Sequence, residues 1–530
     1  MFRLIGWFTW FLVRLLLSLL FYATPLIGFW LASSLAAYLG GPPWMAWTAG
    51  ALLFPIVPGI WELHAWSTRR PKSKAFLTPF DRVSLRTFAV GLTFLAVLLC
   101  IYPQTAFVSL STRGDWMLDG VKDARADRAR HLLFAAAGGL EWLYKATKNN
   151  PYKAQIDAEA RKRAEEAAQQ REQEQAKTND ETQQSNKDLA KTSDEAQLSE
   201  QELANELVEQ EAARPGKRAH HKQDLQIAHQ PETAQPTSKW PWKGASLHPA
   251  VATMPASVET SIKSVAQYIA KQEPDPVLRI KALHDYVADR IAYDSEAFYA
   301  GRYPDQEAET VFKTRKGVCA GYANLLYALA SAIHEQVIVV TGDARDSEAG
   351  DRLTGMGHAW NAAHIGRRWY LIDVCWDAGY ISREKGFTKA YKTDYFLPPP
   401  QVMIQDHFPE LSDWQLLADP LSQGDFLRQP MLRPRFQEAN LTLVAPKRAR
   451  NDAESKAVVI VKNPKHNWLM AGLERNGKQI ASNKSATNDE TAQLECPLPE
   501  KGTYRLNMFV NPDNEYGQYD FVGSVDFVNR

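Results

Sequence analysis

The chain has 530 residues, room for about three to four domains of ordinary size, with 61 basic and 61 acidic side chains and a formal net charge of zero. That balance excludes a charge-driven nucleic-acid binder, and four cysteines in such a length exclude a disulfide-stapled scaffold. A mean hydropathy of −0.36 conceals a very apolar first fifth and a very polar stretch before the middle.

From Phe2 to about Leu39 only Arg3, Arg14 and Pro25 interrupt the apolar run, which is too long for the core of a signal peptide. A membrane span needs about 20 apolar residues. The runs Leu15 to Leu39, Trp44 to Trp61 and Phe88 to Pro103 predict three spans, with the first 14 residues a separate interfacial helix or an extra span; the whole anchor is assigned to residues 1–110. Gly40-Gly41-Pro42-Pro43 is uncharged, whereas the next loop carries Arg69, Arg70, Lys72, Lys74, Arg82 and Arg86 against Asp81 alone. Basic short loops stay cytoplasmic. A multi-pass protein of the cell (inner) membrane is expected, with everything after about Gln104 on the periplasmic or extracellular side.

Residues 111–150 read as membrane-proximal helices, in which the apolar stretch Leu132 to Tyr144 is too short to span and lies at the surface or packs locally. Over 151–245 the composition turns to Glu, Gln, Lys, Ala and Arg, and Leu203 with Leu207 is a lone helical pair. A charged helical or disordered linker is expected, a tether holding the later domains away from the bilayer. His220 and His221 in GKRAHHK read as loop rather than a metal site. Pro231, Pro236, Pro241 and Pro249 mark the passage into folded sequence.

Compact structure is predicted over 250–425. Ile262, Val265 and Ile269 recur at helical spacing; Asp275 then caps a second helix with Pro276 at its first position, burying Val277, Ile280, Leu283, Val287 and Ile291. The segment KGVCAGYANLLYALASAI from Lys316 predicts a tight turn at Gly317 and a helix burying Tyr322, Leu325, Leu326, Leu329 and Ile333. Cys319 falls at its start, where unpaired N–H groups and the helix dipole favour a thiolate. A lone buried cysteine is usually inert packing, so the downstream hairpin matters more. His358 to Ile365, the Gly366-Arg367 turn and Arg368 to Asp377 read as two strands. If Ile365 faces Arg368, His358 lies opposite Cys375 and diagonal to Asp373, about 7–8 Å away between backbones. The carboxylate can then hold the imidazole in the tautomer that accepts a thiol proton, the general plan of an activated thiolate.

GVCAGYA around Cys319, GHAWN around His358 and WYLIDVCWD around Asp373 resemble the transglutaminase-like superfamily; YFLPPPQVMIQDHFPE and WQLL narrow the resemblance to its kyphoscoliosis peptidase-like branch, over about Ser257 to Leu417. The resemblance implies an α+β papain-like/transglutaminase-like cysteine hydrolase core. It makes Cys319 the nucleophile, His358 the general base and acid, and Asp373 the orienting carboxylate, with acyl transfer through a thioester to water or an amine. Cys375 departs from the family's more usual Thr. No cofactor or metal is implied; the partners expected are a protein or peptide substrate and the lipid bilayer. For the oxyanion, the Cys319 backbone N–H is one candidate donor and the Tyr293 hydroxyl a second, the alternative for Tyr293 being a core residue. Trp360, Trp369, Trp376, His407 and Trp414 are expected to pack the fold or shape the cleft, and His364 to be exposed. Asp343, Asp346, Glu348 and Asp351 read as a solvated acidic loop, lacking the regular oxygen spacing of a calcium site.

Over 430–530, AVVIVK (457–462), HNWLMAGLE (466–474), TYRLNMFV (503–510) and YDFVGSVDFV (519–528) alternate as short strands and predict a β-sandwich; immunoglobulin-like domains occupy this place in the family. No chemistry is evident in it. The expected function is a membrane-anchored cysteine peptidase, with a protein or cell-wall-peptide transamidase, or a catalytically silent peptide-binding scaffold, as the alternatives.

Overall fold

A computed structural model describes residues 2–68, 77–121, 123–148, 150–154, 156–158, 161, 240–242, 246–345, 356–482 and 486–529. The apolar N-terminal sequence forms α1 (Phe2–Tyr38), then α2 (Pro43–Ala51) and α3 (Val57–Ser67), joined through a kink in Leu52–Ile56 where Phe54 is extended, and then α4 (Pro79–Ile101). Because α1 runs continuously through Arg14 and Pro25, the first 14 residues are neither a separate interfacial helix nor an extra span. Helix α4 opens with a reciprocal cap: the Thr78 hydroxyl accepts from the Asp81 N–H, and the Asp81 carboxylate from the Thr78 N–H. Phe11–Tyr38, Pro43–Ser67 and Pro79–Ile101 are long and apolar enough to cross a membrane. Arg82 and Arg86 of the basic loop sequence pair with Glu62 at 2.8 and 2.9 Å; Arg69, Arg70, Lys72 and Lys74 lie outside the described residues.

Three short helices follow: α5 (Pro103–Arg113), α6 (Ala124–Gly138) and α7 (Glu141–Thr147). The apolar stretch from Leu132 to Tyr144 is divided between α6 and α7 and packs locally at its end: Tyr144 meets Phe107 at 4.9 Å between ring centres, and both are buried with Phe408, Phe426 and Leu427. Three arginines from later in the chain then cap carbonyls at helix ends. Arg428 donates to Ser111 O at 2.7 Å. Arg448 donates to Thr112 O at 3.1 Å and to both Asp115 oxygens at 2.7 and 3.0 Å. Arg450 donates to Tyr38 O at 2.8 Å. The later domains are thus docked directly on these helices.

The two ends of the charged segment are among the described residues. Tyr152 and Ile156 are buried in the same core as Val251 and Ile262, Trp240 Nε1 donates to Asp394 O at 3.0 Å, and Trp242 packs edge-on against Phe396 at 5.2 Å. The described residues at both ends of the charged segment therefore pack on one body. Leu203, Leu207, His220, His221, Pro231 and Pro236 lie outside the described residues.

The globular centre packs α8 (Ile262–Gln272), α9 (Pro276–Arg290) and α10 (Cys319–Ser331) on an antiparallel sheet ordered β3–β2–β1–β4, where β1 is Gln336–Ala344, β2 Met356–Ile365, β3 Arg368–Ile372 and β4 His407–Pro409. The Asp275 carboxylate caps α9 by accepting from the Val277 and Leu278 N–H groups, both at 2.9 Å. Tyr322, Leu325, Leu326 and Leu329 of α10 are buried as predicted, while Ile333 lies beyond the helix and is half-buried. Gly317 makes no turn: Lys316–Gly317 pairs in parallel with Ala292–Tyr293. The glycine that packing requires is Gly321, where a Cβ would stand 2.6 Å from Gln306 Oε1 and 2.8 Å from Val311 Cγ2.

The C-terminal part is a two-sheet sandwich. One sheet pairs β5 (Thr442–Ala445), β7 (Lys456–Lys462) and β10 (Thr491–Pro497). The other is ordered β6 (Arg450–Ala453), β12 (Asp520–Asn529), β11 (Gly502–Asn511), β8 (Trp468–Arg475), β9 (Lys478–Ser482). Val459, Val461 and Leu494 of the first are buried with Leu473, Leu506 and Val525 of the second. The four predicted strands fall in β7, β8, β11 and β12, and β5, β6, β9 and β10 complete the sheets.

If the contact around Phe426 joins the docked parts, Phe426→Ala should cost about 3–5 kcal/mol. Hydrogen exchange should then accelerate in α5 and α7 while β11 and β12 keep their protection.

Candidate active site

Cys319 is the first residue of α10 and is fully buried. No side chain caps this helix, so its first-turn N–H groups lend the positive end of the dipole to the sulfur. The approach to the helix is held from elsewhere: the buried Gln306 accepts the Val318 N–H at Oε1 (2.8 Å), and its backbone carbonyl accepts Asn324 Nδ2 at 3.0 Å. No local spacing in the sequence marks Gln306 for this task.

The hairpin departs from its predicted register at one end. Ile365 does face Arg368, but the ladder stops at Asn361 opposite Ile372. His358 faces Gly342 on β1, not Cys375. After Ile372 the chain enters a short helix, α11 (Val374–Ala378), capped by Asp373, whose Oδ1 accepts the Cys375 and Trp376 N–H groups at 2.9 and 3.1 Å. Asp373 Oδ2 remains, and it accepts His358 Nε2 at 2.7 Å. The Cys319 sulfur lines the same cleft as His358 and bears electrostatically on its imidazole. Cys319, His358 and Asp373 are therefore brought together, through a helix cap rather than a strand diagonal. Burial disfavours charge on His358, but the Asp373 carboxylate, aided by the Cys319 sulfur, outweighs it and holds the imidazole at about 9. Burial also works against the Asp373 carboxylate, and the His358 and His407 imidazoles overcome it, holding Asp373 well below the usual carboxylate range.

His407, expected only to pack or shape the cleft, belongs to the same network. Its Nε2 donates to Asp373 Oδ2 at 2.9 Å and its Nδ1 to Asp406 Oδ1 at 2.7 Å. With both nitrogens facing carboxylates the ring is a double donor, an imidazolium. Burial pulls its pKa down, and Asp406 followed by Asp373 raises it to about 9. Asp406 Oδ2 in turn accepts the Tyr395 hydroxyl and, at 3.2 Å, Arg433 Nη1. A line of alternating charge thus runs from His358 to Arg433. The ligating atoms of His358, Asp373 and His407 lie within 4.8 Å of one another; the convergence of both imidazoles on one carboxylate oxygen accounts for that closeness. The sequence signal is only the pair Asp406-His407, which has no spacing to read.

Cys319 and His358 open into a cleft of about 570 Å³, whose far wall includes Arg433, Pro434, Asp520 and Phe521. The sandwich side of the molecule therefore lines the cleft. Tyr293 lines this cleft and also packs on Phe298 and Phe387 at 5.9 and 6.5 Å. Burial, then the Asp373 charge, pushes the Cys375 thiol well up. Trp360 and Trp376 flank His358 at 6.0 and 5.4 Å, and Trp369 packs on Trp414 at 5.1 Å. His364 is half-buried against Trp369 (5.1 Å) rather than exposed. Asp343 is not on a solvated loop either: it is buried on β1 and paired with Lys148 at 2.6 Å. Asp346, Glu348 and Asp351 lie outside the described residues.

Removing His407 should expose how much the line of charge matters. His407→Leu leaves Asp373 and Asp406 short of a buried cationic partner and should cost about 3–5 kcal/mol, read as a lower melting temperature. His407→Gln, which keeps a donor, should lose less.

Residues 263–374 match the transglutaminase-like superfamily. The chain is 26% identical to kyphoscoliosis peptidase of Mus musculus over 49% of its own length and 40% of the relative's, and 29% identical to that of Homo sapiens over 47% and 37%. It therefore spans about two fifths of the length of these curated relatives. A crystal structure of a TGase overlaps 26% of this chain and 35% of that one at 21% identity and a TM-score of 0.19, an overlap too slight to argue from. Residues 263–374 thus form a transglutaminase-like segment, and about half of the chain is similar to the kyphoscoliosis peptidases.

Proposed function

We propose that the chain is a membrane-anchored thiol enzyme, a cysteine peptidase that cleaves amide bonds of protein or peptide substrates outside the cytoplasm. The observation that carries this reading is the 2.7 Å contact of His358 Nε2 with Asp373 Oδ2, with the Cys319 sulfur at the same imidazole. The basic residues preceding the third apolar helix support the sidedness, and the peptidase names of the relatives support hydrolysis.

The chemistry follows from the positions. Cys319 yields its proton to His358, and the thiolate attacks the substrate carbonyl. The Cys319 N–H, at a helix position no intrahelical carbonyl can reach, donates to the developing oxyanion, with the Tyr293 hydroxyl as the second candidate. The imidazolium of His358, held in line by Asp373, protonates the leaving amine. A thioester remains on Cys319, and water activated by His358 releases the acid.

The raised pKa of His358 fixes the sign of the pH dependence. Its proton is required to expel the amine, so acylation should fall as pH rises through about 9. The stabilisation from the protonated pair with Asp373 should likewise be complete below the unfolded value of about 6.5 and lost as pH rises through about 9. His358→Ala should lower turnover by about 10²–10⁴-fold.

The deciding experiment is to trap a thioester on Cys319 with cell-envelope extract as substrate and His358→Ala as control, alongside iodoacetamide labelling of Cys319 across pH. Labelling that persists well below about pH 8.5, the ordinary thiol pKa, and collapses in His358→Ala is the expected result. Ordinary-thiol labelling with no thioester would leave a silent peptide-binding scaffold. Incorporation of an added amine in place of peptide release would make the chain a transamidase.

A further inference from the structure

After the helices that follow α4, a strap of residues 150–152 lies beside β1 and β2 at the level of the site. Lys148 Nζ pairs with Asp343 on β1 at 2.6 Å. Two residues on, Asn150 Nδ2 donates to Gly342 O at 3.1 Å and to His358 O at 3.2 Å. Gly342 and His358 face each other across the two strands, so a single amide bridges β1 and β2 at the residue that carries the imidazole. Asn150 is itself held, because its Oδ1 accepts the Tyr152 N–H at 3.0 Å. Tyr152 is fully buried, meets Tyr303 at 4.9 Å and lines the same cleft as Cys319 and His358. The fit is close: a Cβ on Gly357 would stand 2.7 Å from Pro151 Cδ and 2.9 Å from Asn150 Oδ1.

His358 is only the third residue of β2, near a strand end, where backbone is least constrained by its own ladder. The imidazole must serve a sulfur on one side and a carboxylate on the other, and a displacement of about 1 Å in such a pair can cost about 10²-fold in rate. A donor clamped to the His358 carbonyl removes that freedom. We propose that Asn150 is a positioning residue for His358, and that the strap emerging from the membrane-proximal helices completes the active site of the central domain. The proposal rests on the thiol-enzyme reading and adds that the matched segment 263–374 is incomplete without residues that precede it by more than a hundred positions.

The test uses the full-length protein in detergent, with Cys319 labelling by iodoacetamide followed across pH by peptide mass mapping and the melting temperature recorded in parallel. Asn150→Ala should lower the labelling rate near pH 6 about tenfold or more and shift the profile towards that of an ordinary thiol. Gly357→Ala, which pushes the strap off β2 while leaving every polar partner in place, should do the same, and it decides the matter should Asn150→Ala lose its cooperative melt. Profiles of both variants superimposable on the parent's would overturn the proposal while leaving the thiol-enzyme reading intact. Ordinary-thiol behaviour in the parent itself would be failure of that reading, and would take the proposal with it.

Discussion

The structure of the site depends on how one carboxylate distributes its lone pairs. Asp373 closes the first turn of α11 with Oδ1 and receives two imidazoles on Oδ2. It is fully buried, so in isolation its charge would be very costly. Four donors make the ionised form the stable one, and an ionised Asp373 makes a protonated His358 tolerable at a buried position. The helix cap and the orientation of the imidazole are thus the same interaction. Hardly any substitution can spare one and lose the other, because Oδ1 and Oδ2 belong to one rigid group.

Such a network is stable only while every member is satisfied. His407 supplies the second imidazole from β4, Asp406 holds His407, and Arg433, lying over Trp376 at 5.2 Å, holds Asp406. Arg433 directly follows Met431–Leu432, the short strand that pairs with β12 of the sandwich. The electrostatics of the site therefore extend across the boundary between the globular centre and the sandwich. The same boundary forms the cleft wall, so the two contributions of the sandwich, one to charge and one to shape, arise from one docking geometry.

Much of this is legible in the sequence, for identifiable reasons. Helices α8, α9 and α10 follow apolar periodicity and local caps such as Asp275, which act within a few residues. The hairpin turn fixes Ile365 opposite Arg368 because turn length sets register. Pattern and structure part at Asp373: Leu371, Ile372, Val374 and Cys375 read as continued strand, whereas an aspartate preceding free N–H groups competes for them and starts a helix. The roles of His407, Gln306 and Asn150 are hidden for another reason. Each acts on a partner 12 to 208 positions away, and no local pattern encodes a bond of that kind.

By composition, the charged region between Ile156 and Trp240 reads as the element that governs separation from the bilayer. Its described flanks meet one core: Ile156 is buried in it and Trp242 packs against it. What does govern placement is the row of arginines on the ends of α1 and α5, together with the buried rings of Phe107, Tyr144, Phe408 and Phe426. Those contacts are short and directional, and Lys148 and Asn150, just beyond α7, add theirs to Asp343 and to His358 O. The orientation of the apolar helices and the aim of the imidazole are consequently set by adjacent parts of one packed structure, not by a spacer between independent ones.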